Sequence, residues 1–253
     1  MQWEAEALIL AARPHGETSA IVDVFSRQHG RFGGLVRGGN SRRLRPILQP
    51  GNMVQATWRA RLSEHLGVMS VDAGRAYAAE AMSDASLLAG LSCLCAALQV
   101  IPERQAYPRL YDTAMHVLTA LAQAETGHNG QTDTDVWLPL LARFEMALLD
   151  ETGFGLDLSC CAATGVTEEL IYVSPRSGRA VSREAGAPYA DKMFALPNFL
   201  LDPSAEATPQ DVRHALDLLG HFLERRVYLP NDVKVPAARQ RLMDIIARQA
   251  EVK

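Results

Sequence analysis

Over the first 75 residues, apolar and polar positions alternate with a period of two in short runs, the pattern of half-buried strands. Five runs stand out, at about 3–11 (Trp3 to Ala11), 18–25, 31–37, 53–60 and 65–71. Turn-forming groups separate them: Pro14-His15-Gly16, Gln28-His29-Gly30 and Pro50-Gly51-Asn52. Ile21-Val22-Asp23-Val24-Phe25 carries the β-branched and aromatic residues that strands favour. Five short strands with no long helix between them predict a small closed or partly open β-barrel of the OB-fold type, and an SH3-like barrel would give nearly the same string.

After residue 78 the period lengthens to about 3.6, the helical repeat. Met82, Leu87, Leu88, Leu91, Leu94, Cys95, Leu98 and Ile101 make one broad apolar face. Leu110, Ala114, Val117, Leu118 and Leu121 repeat it, as do Trp137, Leu140, Leu141, Phe144 and Leu148 after a polar loop from Glu125 to Thr134. These three helices are expected to form a bundle core. A fourth starts at Thr208-Pro209-Gln210-Asp211, where Thr caps, Pro is tolerated at the first helical position and Asp favours the positive end of the helix dipole. Val212, Leu216, Leu219, Phe222 and Leu223 then face inward, and a last helix is expected from about Val235 to Ala250. Residues 153–190, punctuated by Gly153, Gly155, Gly165, Gly178 and Gly186, read as an irregular insert. The fold class is α+β and multidomain: a barrel domain over 1–79 and a helical domain over 80–253 that carries the insert.

Composition supports a globular chain, since 253 residues with 48% hydrophobic content bury a sizeable core and disorder is excluded. No apolar run approaches the roughly 20 residues that span a bilayer, and the N-terminus lacks a basic region followed by an apolar block, so a soluble cytoplasmic protein is expected. Four cysteines, at 93, 95, 160 and 161, do not make a secreted disulfide framework and read as reduced.

The net charge of −4 hides an asymmetry, because residues 1–80 hold 10 Arg against 7 Asp and Glu while the remainder is acidic. Arg27, Arg31, Arg37, Arg42, Arg43, Arg45, Arg59 and Arg61 fall in a stretch with no carboxylate between the first and the last. That is the footprint of polyanion binding. Val36-Arg37-Gly38-Gly39-Asn40-Ser41-Arg42-Arg43-Leu44-Arg45 is expected to be a flexible loop whose guanidinium and backbone N–H groups follow a phosphate backbone without fixed sequence. The plainer reading is a solvated basic loop, and the absence of intervening acids favours binding over it. Phe25, Phe32 and Trp58 have the chemistry to stack on bases, but aromatics in a small barrel are more often core.

The insert has the spacing of a zinc ribbon with one cysteine kept: Cys161-Ala162-Ala163-Thr164, then Ser182-Arg183-Glu184-Ala185. A ribbon needs four soft ligands, whereas Thr164, Ser182 and Ala185 fill the other three slots here. A metal-free knuckle held by Leu156, Leu158, Ile171, Tyr172 and Val173 is expected. Cys160 and Cys161 read as a partly buried structural pair, since no C-x-x-C motif or basic run adjoins them. His214 and His221 read as helix-surface residues. No nucleophile elbow, H-E-x-x-H or phosphate-binding glycine fingerprint is present, so no enzymatic activity, cofactor or metal is expected.

In order and spacing these features resemble the RecO family of bacterial recombination mediators. The features that carry the resemblance are Leu8-Ile9-Leu10 with Gly16-Glu17, Gly30-Arg31-Phe32, Arg37-Gly38-Gly39-Asn40-Ser41-Arg42, Leu48-Gln49-Pro50, and Gly153-Phe154-Gly155-Leu156-Asp157-Leu158 leading into Cys161. The resemblance implies an OB-fold followed by a helical domain, binding of single- and double-stranded DNA, and annealing of strands. It also implies loading of RecA, with RecR, onto DNA coated by single-stranded DNA-binding protein. It places the DNA role on Arg37, Ser41, Arg42 and Arg43, to which charge alone adds Arg27, Arg31, Arg45 and Arg59. The lost ligand slots place the chain with the family's metal-free members. An apolar pocket rimmed by arginine on the helical part is the chemistry expected to take the acidic tail of the single-stranded DNA-binding protein. Two other readings remain at this point: an OB-fold RNA- or ribosome-associated factor, and a purely structural repair adaptor.

Overall fold

The computed structural model describes residues 1–62, 64–124 and 134–251. The polar loop expected at 125–134 therefore lies, but for Thr134, outside the described residues. Five strands open the chain: β1 (Gln2–His15), β2 (Ser19–Ser26), β3 (Gly30–Val36), β4 (Met53–Arg59) and β5 (Val68–Ala73). They close into a barrel in the order β1-β2-β3-β5-β4. β1 serves two partners, its first half pairing with β4 (Gln2 opposite Arg59) and its second half with β2 (His15 opposite Ser19). A short parallel contact, Leu35 opposite Val68, completes the ring. This is the expected OB-fold.

Strand alternation sets the barrel core. On β4, Val54, Ala56 and Trp58 point inward while Gln55 and Arg59 stay exposed. Ala7, Ile9, Val22, Val24, Phe32, Val36, Met69 and Val71 fill the same interior. Phe32 and Trp58 are thus core residues, packed ring to ring at 5.0 Å.

Alternation breaks down in β1, where Ala7-Leu8-Ile9-Leu10 is buried without interruption. Ala7 and Ile9 belong to the barrel interior. Leu8 and Leu10 lie under α2 (Ala85–Leu98), which packs on β1 and sends Cys95 Sγ to Ile9 O at 3.8 Å. Complete burial pushes the Cys95 thiol up to about 12, which keeps it neutral. Phe25 is also buried away from the barrel interior, its ring 5.7 Å from Tyr111 of α3 (Pro108–Gln123).

The helix preceding α2, α1 (Tyr77–Ala81), ends at Met82, which is exposed rather than part of the α2 apolar face. Asp84 starts α2 by accepting from the Ser86 and Leu87 amides, and this cap separates Met82 from the helix whose period it had matched. Leu88, expected on the same face, is 41% exposed.

Contacts divide the chain into two compact units, Met1–Glu125 with Pro236–Leu242, and Thr126–Val235 with Met243–Lys253. The step from strand to helix near residue 79 is therefore not where the compact units part. α2 and α3, expected to share a bundle core with α4 (Trp137–Glu151), group with the barrel, while α4 packs on α6 (Pro209–Phe222) in the second unit. α6 begins with a capping box, in which Thr208 Oγ1 accepts from the Asp211 amide at 3.2 Å and Asp211 accepts from the Thr208 amide at 3.1 Å. The expected last helix is α7 (Ala237–Glu251).

The insert is more regular than expected. It forms a three-stranded sheet of order β7-β6-β8, from β6 (Leu170–Val173), β7 (Ala180–Ser182) and β8 (Phe194–Ala195), with the single-turn α5 (Arg183–Gly186) after β7. Its buried apolar side chains are Leu170, Val173, Ala180, Val181 and Leu196 together with Cys161. Of the five apolar residues expected to hold it, only Val173 is fully buried.

Candidate nucleic-acid interface

The arginine segment lies between β3 and β4, and it is ordered by its own hydrogen bonds. Arg45 N donates to Ser41 O and Leu48 N to Leu44 O, both at 3.0 Å, so the chain winds in helix-like turns. Ser41 Oγ accepts from the Leu44 amide at 3.3 Å and starts the winding. Leu44, Ile47 and Leu48, at spacings of three and four residues, pack against the barrel core, and Arg42, Arg43 and Arg45 project on the other side and are exposed. The expected flexible loop is thus an amphipathic plug over one end of the barrel.

Two anchors hold it. Asn40 N donates to Thr18 O at 3.0 Å, tying the segment to the β1–β2 turn. Gly39 lies so close to β2 that a Cβ at this position would approach that of Ala20 to 2.6 Å. At the far end, the buried Asn52 donates from Nδ2 to Pro46 O at 2.9 Å and accepts the Ala78 amide on Oδ1 at 3.0 Å. These turns consume the N–H groups of Gly39, Asn40, Ser41, Leu44 and Arg45, so five of the backbone donors expected for phosphate are already committed. Most of that chemistry falls to the guanidinium groups.

The eight arginines of the acid-free stretch do not form one surface. Arg37, Arg42, Arg43 and Arg45 are exposed and make no ion pair among the described residues. With them comes Arg13, near the end of β1, which shares with Asn40, Arg45 and Gln49 the walls of a groove of about 210 Å³. Arg13 escapes sequence reading because it precedes the acid-free stretch and is followed by Glu17.

Arg59 sits at the opposite end of β1, across from Gln2, and is exposed. Arg27 and Arg31 are engaged with carboxylates. Arg27 makes a bidentate pair with Asp112 of α3 at 2.8 and 2.9 Å, which holds the Asp112 carboxyl below its ordinary range. Arg31 bonds Glu103 at 3.0 Å and the carbonyls of Gln99 and Ile101. The stretch is free of acids in sequence, but the fold brings Glu103 and Asp112 to it from more than 70 residues away.

In the insert, three of the four ribbon positions, Cys161, Thr164 and Ser182, are hydrogen-bonded together. Cys161 Sγ, buried, accepts the Ser182 amide at 3.3 Å and is also bonded by the Ser182 and Thr164 side chains. Desolvation raises the thiol, but these hydrogen bonds together outweigh it and draw it down to about 6. The environment lowers this thiol without the basic neighbour that sequence reading sought. Among the described residues no group of three or more His, Cys, Asp or Glu is placed to hold a metal. His221 is no surface residue: it packs between Phe194 and Phe222 and bonds Pro175 O at 3.2 Å.

An OB barrel plugged by an amphipathic segment that turns unpaired arginines outward defines a class, a β-barrel protein with a cationic face suited to a polyanion. The comparisons narrow it. The family described as Recombination protein O N terminal matches residues 1–73, and that described as Recombination protein O C terminal matches residues 82–234. The chain is 50% identical over 240 residues to the DNA repair protein RecO of Mesorhizobium japonicum, covering 94% of this chain and 91% of that one. It is 46% identical to the proteins of the same name from Rhodospirillum centenum, covering 96% and 94%, and Methylocella silvestris, covering 99% and 98%. The chain belongs to the RecO family of DNA repair proteins. No helix among the described residues is long and apolar enough to cross a membrane.

Proposed function

We propose that the protein is a non-enzymatic recombination mediator that binds single- and double-stranded DNA through Arg37, Arg42, Arg43 and Arg45, with Ser41 shaping the segment and Arg13 beside it. The observation that carries this reading is the braced plug with its exposed, unpaired guanidinium groups. Each phosphate neutralised releases counterions, so affinity arises without sequence preference. Two strands held on one cationic face repel each other less, and base pairing then finds register, which is annealing without any covalent step. Arg27 and Arg31 hold the barrel to the α2–α3 region and contribute less to DNA.

The reading extends to partners. With RecR, the protein helps load RecA on DNA coated by single-stranded DNA-binding protein, whose acidic tail meets the second unit. There Pro175, Arg176, Arg225 and Arg226 line a hollow of about 380 Å³, and the Arg226 guanidinium, 4.5 Å from the buried Phe222 ring, closes its inner side. A hollow lined by three guanidinium groups suits the carboxylates of an acidic peptide.

The deciding experiment is a salt titration of the full chain on single-stranded DNA, duplex DNA and RNA of equal length, with an annealing assay in parallel. Tight, salt-dependent binding to both DNA forms and faster annealing are expected. A strong preference for RNA would move the protein to the RNA-associated class. Binding to the other repair proteins without DNA affinity would make it an adaptor.

A further inference from the structure

The barrel end opposite the plug carries a cluster that the arginine segment does not explain. Trp3, at the start of β1, lies across the ladder from Trp58 and packs against Phe32 at 5.2 Å, edge to face. On Trp3 rests His29 of the β2–β3 turn, its ring stacked at 4.6 Å and 19°. The Trp3 Nε1 is buried and finds no acceptor, so packing against the barrel core and the neighbouring rings holds the indole. His29 is half-buried, and burial pushes its imidazole below the ordinary range, which leaves the ring uncharged at neutral pH. Its backbone N–H bonds Ser26 Oγ at 3.2 Å, whereas its ring nitrogens make no hydrogen bond among the described residues. One step along the ladder from the Trp3–Trp58 pair, Arg59 ends β4 opposite Gln2 and Arg61 follows, both exposed and outside any ion pair among the described residues.

We infer that His29, backed by Trp3, is a stacking platform for one unpaired nucleobase, with Arg59 and Arg61 placed for the adjoining phosphates. A flat ring already stacked on one face offers its other face to a second ring without further ordering, and every base has a π-face. A paired base inside a duplex cannot reach it. The platform therefore gives the protein a contact reserved for single strands, at the opposite end of β1 from the arginines that serve both forms. This inference rests on the DNA-binding reading above.

The test compares the full wild-type chain with His29→Ala, His29→Gln and His29→Phe by fluorescence anisotropy on an oligo-dT strand and on a duplex of the same length. Removing the ring should weaken binding to oligo-dT by at least about fivefold, the lower bound for one base–aromatic stack. Duplex affinity should stay within about twofold, and the log K against log salt slope should be unchanged because no phosphate contact is removed. His29→Phe should restore wild-type affinity. If one ringless variant is unstable, the other, matched to His29→Phe, carries the comparison. Ringless variants that bind oligo-dT as wild type does, or that lose strand and duplex equally, would overturn the platform and leave the mediator reading standing. A wild-type chain that binds neither DNA would overturn both.

Discussion

Replacing Arg37, Arg42 and Arg43 together with Ala removes three exposed guanidinium groups from the outer side of the plug and leaves Leu44, Ile47 and Leu48 seated. Surface substitutions of this kind change stability by no more than about 0.5 kcal/mol each, so the fold should persist. Each phosphate contact contributes about 0.7 to the magnitude of the log K against log salt slope on single strands and about 0.9 on duplex. Three lost contacts thus flatten the slope by about 2 and about 2.7. Because this electrostatic term vanishes toward 1 M salt, a slope change of about 2 corresponds to roughly 100-fold weaker binding at 0.1 M. The paired control is Arg27→Gln with Asp112→Asn, which removes a guanidinium already matched to a carboxylate and leaves net charge unchanged. Anisotropy titrations from 0.05 to 0.4 M salt read both variants. The reasoning is refuted if the triple variant keeps the wild-type slope, or if the control flattens it as much.

Three further outcomes are expected. Gly30→Ala should destabilise by at least about 2 kcal/mol in urea unfolding, since Gly30 has φ +67° and a Cβ there would come within 1.7 Å of Gln105 O; an unchanged midpoint would show that this crossing yields. The Cys161 thiol, at about 6 in the fold against an ordinary value of 9.0, binds its proton less tightly folded than unfolded. The stability advantage of wild type over Cys161→Ala should accordingly be full above about pH 9 and fade as pH falls through about 6, with a one-thiolate step in absorbance at 240 nm that the variant lacks. Elemental analysis should find no stoichiometric zinc, because Thr164, Ser182 and Ala185 are not soft ligands, while Thr164→Cys, Ser182→Cys and Ala185→Cys combined should bind one equivalent; a retained zinc in wild type would contradict this.

Much of the barrel was legible because its strands face a core on one side and solvent on the other, so alternation reports them directly, as in Val54, Ala56 and Trp58. Where both faces are covered, as at Leu8 and Leu10, burial persists through four residues and periodicity says nothing about what lies outside. The plug was missed for a different reason. Leu44, Ile47 and Leu48 hold a helical spacing, but Arg42, Arg43 and Arg45 around them and the preceding Gly38-Gly39 give the segment the composition of a loop. Asn52 gave no local sign of its role, because its partners at Pro46 and Ala78 become neighbours only in the fold. The candidate site was legible as a set of charges and illegible as a surface. Glu103 and Asp112, which quench Arg31 and Arg27, are remote in sequence, and which arginines remain unmatched is decided by tertiary pairing.

The two-sided burial of β1 has a consequence for taking the molecule apart. A fragment cut at residue 79 would carry Leu8, Leu10 and Phe25, each no more than 1% exposed in the intact chain, on an uncovered outer wall. Three large side chains stripped in this way form a contiguous greasy strip, and such strips drive self-association. The complementary fragment would release the α2 surface that includes Leu91, Leu94 and Cys95. Insolubility of an excised barrel would therefore report a missing lid, and it would say nothing about whether the barrel holds DNA. A fragment that extends through α3 keeps that lid and lacks only Pro236–Leu242 of its compact unit, so its binding is far more informative than that of the excised barrel.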